Sequence, residues 1–193
     1  MSPELPLFPL QTVLFPGGRL PLRLFEQRYL EMAKACLRDG SPFGVCLIRE
    51  GGEVGEPALP EELGCTARIV EWDMPQLGLL QVVARGEQRF RIRSRRVQPD
   101  GLARAEIELL PAEAEAPLDA QQDLCARVLR RIVEAAPAGL VESPARYDSG
   151  AWVSARLAEL LPLSGANKQR LLEMDDARDR LEILRRLISS SGQ

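Results

Sequence analysis

The 193-residue chain is 45% apolar and 27% charged and has a net charge of −3, a composition typical of a soluble globular protein. It contains no histidine, which excludes Ser-His-Asp and Cys-His catalytic systems, and it lacks the phosphate-binding pattern GxxxxGK[ST]. The N-terminus does not resemble a signal peptide, and no apolar run approaches about 20 residues, so we expect a cytoplasmic protein without a membrane partner.

The first 24 residues predict short strands and turns. Prolines at positions 6, 9, 16 and 21 suit edge strands and turns, where the missing N–H costs little. The sequence Pro-Gly-Gly at 16–18 predicts a tight turn, and Leu20, Leu22 and Leu24 alternate at strand period. A helix is predicted next, ending at Asp39-Gly40, because apolar residues then recur at helical spacing from Phe25: Phe25, Tyr29, Met32, Ala33, Cys36 and Leu37.

The middle of the chain predicts further strands. These are expected at 43–48, 65–73, 79–85, 88–98 and 102–110, with an exposed loop at 49–64, a turn at 75–78 and a bend or bulge at Gly86. After a change of composition at 111–117, four helices are predicted. Asp119 and Gln122 have capping-box spacing, Ser164 is a candidate N-cap, and Asp175 or Asp176 opens the last helix. The fold class is therefore α+β.

Four stretches resemble one known family. They are "LPLFPLQTVLFPGGRLPLRLFEQRYLEM" near the N-terminus, "GCTARIVEW" (64–72), "VVARGEQRFRI" (82–92) and "LPLSGANKQRLLEMDDARDRLEILRRL" (161–187). Together they resemble the N-terminal, substrate-binding domain of Lon proteases. The resemblance implies a PUA-like β-barrel over 1–113 and a helical bundle over 117–193.

The resemblance also implies what the chain does. It contains neither the ATPase module nor the Ser-Lys protease dyad of Lon, so we expect a stand-alone Lon-like module that is not an enzyme and needs no cofactor. Its expected role is to bind polypeptide substrates or partner proteins, as an adaptor for a separate protease or chaperone. The cleft between the two domains and an open sheet edge are the expected binding places. The alternative is RNA binding, which PUA-like barrels perform elsewhere. The oligomeric state stays open.

The four cysteines do not predict a metal site. No CxxC pair occurs, and there is no histidine to complete a zinc set. We expect reduced, mostly buried thiols, with Cys65 the most exposed of the four: Cys36, Cys46, Cys65 and Cys125.

The arginine-rich stretch "RFRIRSRR" (89–96) is the main candidate for a charged site. At strand period Arg89, Arg91, Arg93 and Arg95 share one face. A two-residue turn at Asp100-Gly101 would place Arg95 opposite Glu106 and Arg93 opposite Glu108. Arg89 and Arg91 would then remain as free positive charges and are candidate binding residues.

Two further segments have alternative interpretations. Trp152 has helical spacing with its apolar neighbours, which favours a core position, whereas Tyr147 in the preceding loop is a candidate contact residue. The glutamates of loop 49–64 could face a basic partner, although a solvated loop is the simpler interpretation.

Overall fold

The computed structural model describes residues 3–119 and 122–190. The chain divides into a first compact unit that ends at Pro111 and a second that begins at Ala112. In the described residues, the first unit contains seven strands and one helix, and the second contains four helices. The strands are β1 Glu4–Leu10, β2 Arg19–Leu24, β3 Phe43–Glu50, β4 Leu59–Pro60, β5 Leu63–Gln76, β6 Leu79–Val97 and β7 Ala103–Leu109.

Five strands of the first unit pair in a closed circuit. The order is β1-β7-β6-β5-β3, and β1 pairs a second time with β3, in parallel. The other neighbours in this circuit are antiparallel. The short β4 continues beside β3, and β2 pairs with β6. Each strand of the circuit therefore has a neighbour on both sides over part of its length.

β6 is one 19-residue strand, where the sequence predicts two strands separated at Gly86. The predicted irregularity does occur: the register between β5 and β6 shifts between Ala67↔Gly86 and Cys65↔Arg89. Gly86 is required there because a Cβ atom at this position would collide with the carbonyl oxygen of Phe15. The lack of a side chain thus lets the chain before β2 lie directly against β6.

The register of the β6–β7 hairpin differs from the predicted one. Gln98 and Leu102 flank a three-residue turn in which Gly101 has φ +84°, so Val97 pairs with Ala103 and Arg95 with Ala105. A three-residue turn ending in a left-handed glycine is a common hairpin geometry. The predicted pairing of Arg95 with Glu106 is therefore wrong, and the Arg95 guanidinium instead donates to the Ala58 carbonyl at 3.2 Å.

A register shift between Ile92 and Ser94 moves the hairpin one residue further from the predicted pairing, so that Arg91 rather than Arg93 lies opposite Glu108. It sets Ile92 opposite Ile107, so that apolar residues still meet across the hairpin. The expected ion pair between Arg93 and Glu108 nevertheless forms. A bulge of this kind inserts one extra residue in one strand, which no alternation pattern in the sequence reveals.

The helix α1 (Gln27–Asp39) of the first unit begins later than predicted. Phe25 lies before it and is 57% exposed, so its assignment to the buried helix face is wrong. Tyr29, Met32, Ala33 and Cys36 pack into the main core with apolar side chains of the sheet, as predicted, whereas Leu37 is only partly buried. Leu24 is buried directly before this point, because the strand alternation of β2 still applies up to residue 24.

The second unit consists of α2 (Asp123–Ala135), α3 (Gly150–Leu160), α4 (Gly165–Glu173) and α5 (Ala177–Ser190). α3 contacts each of the other three helices. Two N-caps are formed by side chains: Ser149 accepts from the amide of Trp152, and Ser164, as predicted, accepts from the amide of Asn167. Asp119 and Gln122 form the reciprocal hydrogen bonds expected of a capping box, just before α2 begins.

A buried ion pair holds the start of the second unit to its last helix. Arg180 of α5 is fully buried, and its guanidinium bonds both carboxylate oxygens of Glu113. The same guanidinium donates to the Ser154 hydroxyl at 3.0 Å and the Leu171 carbonyl at 3.4 Å. Arg180 thus connects the segment before α2 to α3, α4 and α5.

Candidate functional site

The outer edge of β2 has no neighbouring strand in residues 3–119 or 122–190. β2 pairs only with β6, in a register that sets Leu22 opposite Val82 and continues to Gly18 opposite Gly86. The Gly86 amide donates to the Gly18 carbonyl at 2.9 Å and the Gly86 carbonyl accepts from the Gly17 amide at 2.8 Å, so the Gly18 carbonyl faces β6. The direction of the backbone groups alternates along an antiparallel ladder, so Leu20, Leu22 and Leu24 also direct their backbone groups toward β6.

Arg19, Pro21 and Arg23 therefore direct their backbone groups away from β6, along the open edge. All three offer a carbonyl there, but only Arg19 and Arg23 offer an N–H, since proline has none. A proline whose missing N–H lies on the open side removes no hydrogen bond from the sheet. It also makes unspecific strand pairing at this edge less favourable. Two backbone N–H donors and three carbonyl acceptors remain for an added strand.

An apolar groove of about 330 Å³ opens along β2 and the start of α1; we call it the β2–α1 groove. Its apolar walls come from β1, β2, α1 and the loop after β3. The rings of Phe8 and Tyr29 lie 4.3 Å apart at one wall, and Phe25 and Val54 are exposed at the rim. The lining residues are Phe8, Leu10, Thr12, Leu20, Pro21, Leu22, Arg23, Leu24, Phe25, Glu26, Tyr29, Glu53 and Val54.

The loop wall of this groove is held by two carboxylates. Glu53 accepts a hydrogen bond from the Gln11 amide at 2.6 Å, and Glu26 accepts one from the Gly55 amide at 3.4 Å. Glu26 is also ion-paired with Arg28 at 2.9 Å, and Arg28 is almost fully buried. The side of the groove formed by residues 51–58 is thus anchored to α1 and to the end of β1.

Arg28 extends this anchor to the β6–β7 turn. Its guanidinium donates to the Gly101 carbonyl at 3.2 Å and lies 4.7 Å from the centre of the Tyr29 ring. Burial is the main reason that the pKa of the Tyr29 hydroxyl lies above its usual value. The phenol therefore stays neutral at physiological pH, and the groove gains no charge from it.

A second pocket, of about 670 Å³, lies against β2, β5 and β6; we call it the Trp72 pocket. It shares Pro21, Leu22 and Arg23 with the β2–α1 groove, so β2 borders both. Trp72 is 61% exposed, an unusual exposure for a tryptophan. Three other apolar side chains of the same hairpin are also exposed: Val70, Met74 and Leu77. A chain segment paired with β2 would therefore have apolar surface on either side.

Comparison with known proteins shows the family to which the chain belongs. The family model described as the substrate-binding domain of the ATP-dependent protease La (LON) matches residues 4–190. The chain belongs to the Lon substrate-binding domain family. The crystal structure of a Lon N-terminal domain protein from Xanthomonas campestris is 40% identical and covers 94% of this chain and 96% of its own, with a TM-score of 0.78.

More distant relatives of this Lon-type domain are larger proteins. Lon protease of Porphyromonas gingivalis is 27% identical over 193 residues, 93% of this chain and 22% of that protein. Protein cereblon of Danio rerio is 30% identical over 112 residues, 56% of this chain and 26% of that protein. The chain thus spans about a quarter of the length of these relatives. The N-terminal domain of Mycobacterium avium complex Lon protease, at 19% identity and a TM-score of 0.65, shares the fold.

The two candidate arginines lie in different environments. Arg89 is only 3% exposed, so the prediction that it is a free surface charge is wrong. It lies in the middle of β6, opposite Cys65 of β5, where the strand has neighbours on both sides. Arg91 is exposed as predicted and lies opposite Glu108 of β7. Arg96, on the same strand, is ion-paired with Glu4 at 2.7 Å.

Tyr147, the third candidate, is half-buried at the surface of the second unit. Its ring lies 5.5 Å from that of Trp152 in an edge-to-face arrangement, and the Arg130 guanidinium lies 4.6 Å from its centre. It lines an open pocket of about 430 Å³ together with Asp123, Arg127 and Asp148. Tyr147 is therefore accessible from this pocket, but its aromatic face is occupied by Arg130. Its role in binding stays a prediction.

The cysteines are all buried thiols, including Cys65, which is fully buried; its predicted exposure is wrong. Cys65 lies on β5 between Val45 of β3 and Arg89 of β6, so strands cover it on both sides. Burial raises the pKa of the Cys46 thiol to about 12 and that of Cys125 to about 11. Such thiols are poor nucleophiles and poor metal ligands.

Within residues 3–119 and 122–190, no group of three or more histidine, cysteine or acidic residues could hold a metal ion. No helix in that part of the chain has the length and apolar character needed to span a membrane.

Sequence reasoning missed Trp72, Phe25 and the β2 edge. The alternation of β2 was visible, but which strand lies beside it depends on pairings between residues about 60 apart along the chain. Phe25 falls where strand period changes to helical period, so either pattern accommodates it. The neighbours of Trp72 do indicate its exposure. Glu71 and Asp73 flank it close to a predicted turn, and charged neighbours at this position are typical of the end of a strand that extends beyond the core.

Proposed function

We propose that this chain is a non-catalytic module that binds an extended segment of a substrate or partner protein along the open edge of β2. The observation that carries the proposal is the placement of this edge between two apolar concavities, the β2–α1 groove and the Trp72 pocket. In strand addition, backbone hydrogen bonds supply affinity and side-chain pockets supply selectivity. Membership of the Lon substrate-binding domain family supports a polypeptide ligand.

The proposed cellular role is that of a cytoplasmic adaptor, which delivers the bound polypeptide to a separate protease or chaperone. The family match covers residues 4–190 with a substrate-binding domain, in line with a role in binding rather than turnover. The closed circuit of strands supports a PUA-like β-barrel over 1–113, and the contacts of α3 support a helical bundle over 117–193.

The RNA-binding alternative gains little support from the arginine strand. Arg89 is buried, and Arg93 and Arg96 are ion-paired with Glu108 and Glu4. Phosphate binding depends on several accessible cations that can displace counterions, and these pairs reduce their number.

The test exploits the backbone of Arg23. Arg23→Pro removes an outward N–H and fills the edge with the proline ring, but it breaks no hydrogen bond to β6. Arg23→Ala removes the same side chain and keeps the N–H, so it is the matched control. Binding of fluorescein-labelled, reduced and carboxymethylated α-lactalbumin, a permanently unfolded chain, is followed by fluorescence anisotropy.

We expect Arg23→Pro to weaken binding about tenfold or more relative to Arg23→Ala, since at least one backbone hydrogen bond and the close approach of the strands are lost. Both variants should keep the circular dichroism spectrum and thermal midpoint of the wild type. Equal binding by the two variants would place the site elsewhere, and no binding by the wild type would refute the proposed function.

A further inference from the structure

We propose that the site selects apolar segments flanked by lysine or arginine, an inference that rests on the proposed function. The feature that carries it is the segment 49–62, which runs from the end of β3 to the start of β5 and contributes Glu53 and Val54 to the lining of the β2–α1 groove. This segment contains five glutamates and a single arginine: Arg49, Glu50, Glu53, Glu56, Glu61 and Glu62. Its strongly negative charge contrasts with the near-neutral balance of the whole chain, −3 over 193 residues.

The negative charge of this segment is mostly exposed. The side chains of Glu50, Glu53, Glu56 and Glu62 are exposed, and the ion pair from Arg49 to Glu50 is long, at 3.9 Å. Exposed charges of one sign on the rim of a groove raise the local concentration of ligands of opposite charge. They also repel ligands of the same charge, and this repulsion provides selectivity between peptide segments that are otherwise similar.

The wall is held against the groove. Glu53 and Val54 line it directly, and the bonds from Glu53 to the Gln11 amide and from Glu26 to the Gly55 amide hold the loop in place. A strand added at β2 would therefore pass the exposed carboxylates at a defined position. An apolar side chain would enter the groove, and residues before or after it would lie at the acidic rim.

The other charges at the groove do not cancel this wall. Glu26 is balanced by its ion pair with Arg28, so these two residues together contribute no net charge. Arg23, on β2, is the one cation among the lining residues of the groove, and Arg95 donates to the Ala58 carbonyl of the segment. Besides these two arginines, the segment presents the exposed carboxylates of Glu50, Glu53 and Glu56, of which Glu53 lines the groove.

Three synthetic peptides test the selectivity. They share one apolar core of leucine, valine and phenylalanine and carry two lysines, two serines or two glutamates at each end. Binding is measured by fluorescence anisotropy in 0.05 M and 1 M NaCl. At low salt, we expect the lysine-flanked peptide to bind about tenfold more tightly than the glutamate-flanked one. In 1 M NaCl, where the screening length is about 3 Å, the ratio should fall to about twofold.

Variants of the loop locate the effect. Glu50→Gln with Glu56→Gln removes two exposed charges and leaves the anchoring Glu53 intact, and it should reduce the low-salt ratio to about threefold. The control is Glu134→Gln with Glu173→Gln, which changes the net charge equally by substitutions in the second unit. This control should leave the ratio unchanged; an equal drop in both double variants would show that only the overall charge matters and would overturn the proposal.

The outcomes separate this proposal from the proposed function. If all three peptides bind within twofold of each other at low salt, the selectivity is refuted and the polypeptide site stands. The same holds if the glutamate-flanked peptide binds most tightly. If none of the three peptides binds, while the unfolded α-lactalbumin also fails to bind, both proposals are refuted. If only the unfolded protein binds, short apolar cores are not the ligand class and this proposal alone is refuted.

Discussion

Replacing Glu113 by glutamine should destabilise the second unit strongly. The substitution leaves the fully buried Arg180 guanidinium without its carboxylate partner, since an amide supplies neither the charge nor two acceptor oxygens. Removing one partner of a buried ion pair costs about 3–5 kcal/mol, because the remaining charge stays desolvated. For a chain of this length, 1 kcal/mol corresponds to about 2–4 °C, so we expect the thermal midpoint to fall by about 6–20 °C.

The assay is urea unfolding followed by circular dichroism at 222 nm, which reports the helices. Glu134→Gln is the control, since Glu134 is exposed on α2 and its loss should change the free energy of unfolding by less than about 0.5 kcal/mol. A double variant with Arg180→Met and Glu113→Leu should recover much of the loss, because it removes the buried charge as well. The reasoning is refuted if Glu113→Gln costs less than about 1 kcal/mol and resembles the control.

Three further predictions concern the first unit and the loops. Gly86→Ala should lower the free energy of unfolding in urea by about 2 kcal/mol or more, because the new methyl group would collide with backbone atoms, which cannot move aside as a flexible side chain could. The control is Gly52→Ala, which should be close to neutral because there is space for a methyl group at position 52. In the folded protein, no cysteine thiol, including that of Cys65, should react rapidly with Ellman's reagent at pH 8, whereas all four should react in denaturant. A thiol that reacts rapidly in the native protein would contradict the burial of the four cysteines. Limited digestion with a glutamate-specific protease should cut first within 51–58 or 138–149, and early cleavage inside α2 would contradict this.

The sequence predicted local structure well wherever one periodicity held over a whole element. The strand alternation of Leu20, Leu22 and Leu24 and the cap at Ser164 both depend on residues a few positions apart. The family resemblance is also confirmed, because its motifs extend along the whole chain.

Prediction failed where a detail depends on distant residues or on one inserted residue. The β6–β7 register was wrong by one residue at the turn, since Pro99-Asp100-Gly101 forms a three-residue connection rather than a two-residue one. That difference removed the Arg95–Glu106 pair. The burial of Arg89 and the exposure of Trp72 are set by which strands lie beside β5 and β6, and these pairings are invisible in local alternation.

The most direct test of the β2 site is residue-resolved amide exchange by NMR, with and without the lysine-flanked peptide. The account predicts that the outward amides of Arg19 and Arg23 gain protection when the peptide binds, since they become donors to the added strand. The amides of Leu20, Leu22 and Leu24, already bonded to β6, should change far less. Peptide binding that leaves the Arg19 and Arg23 amides unprotected, or that protects only amides of the second unit, would contradict the claim that β2 is the binding edge.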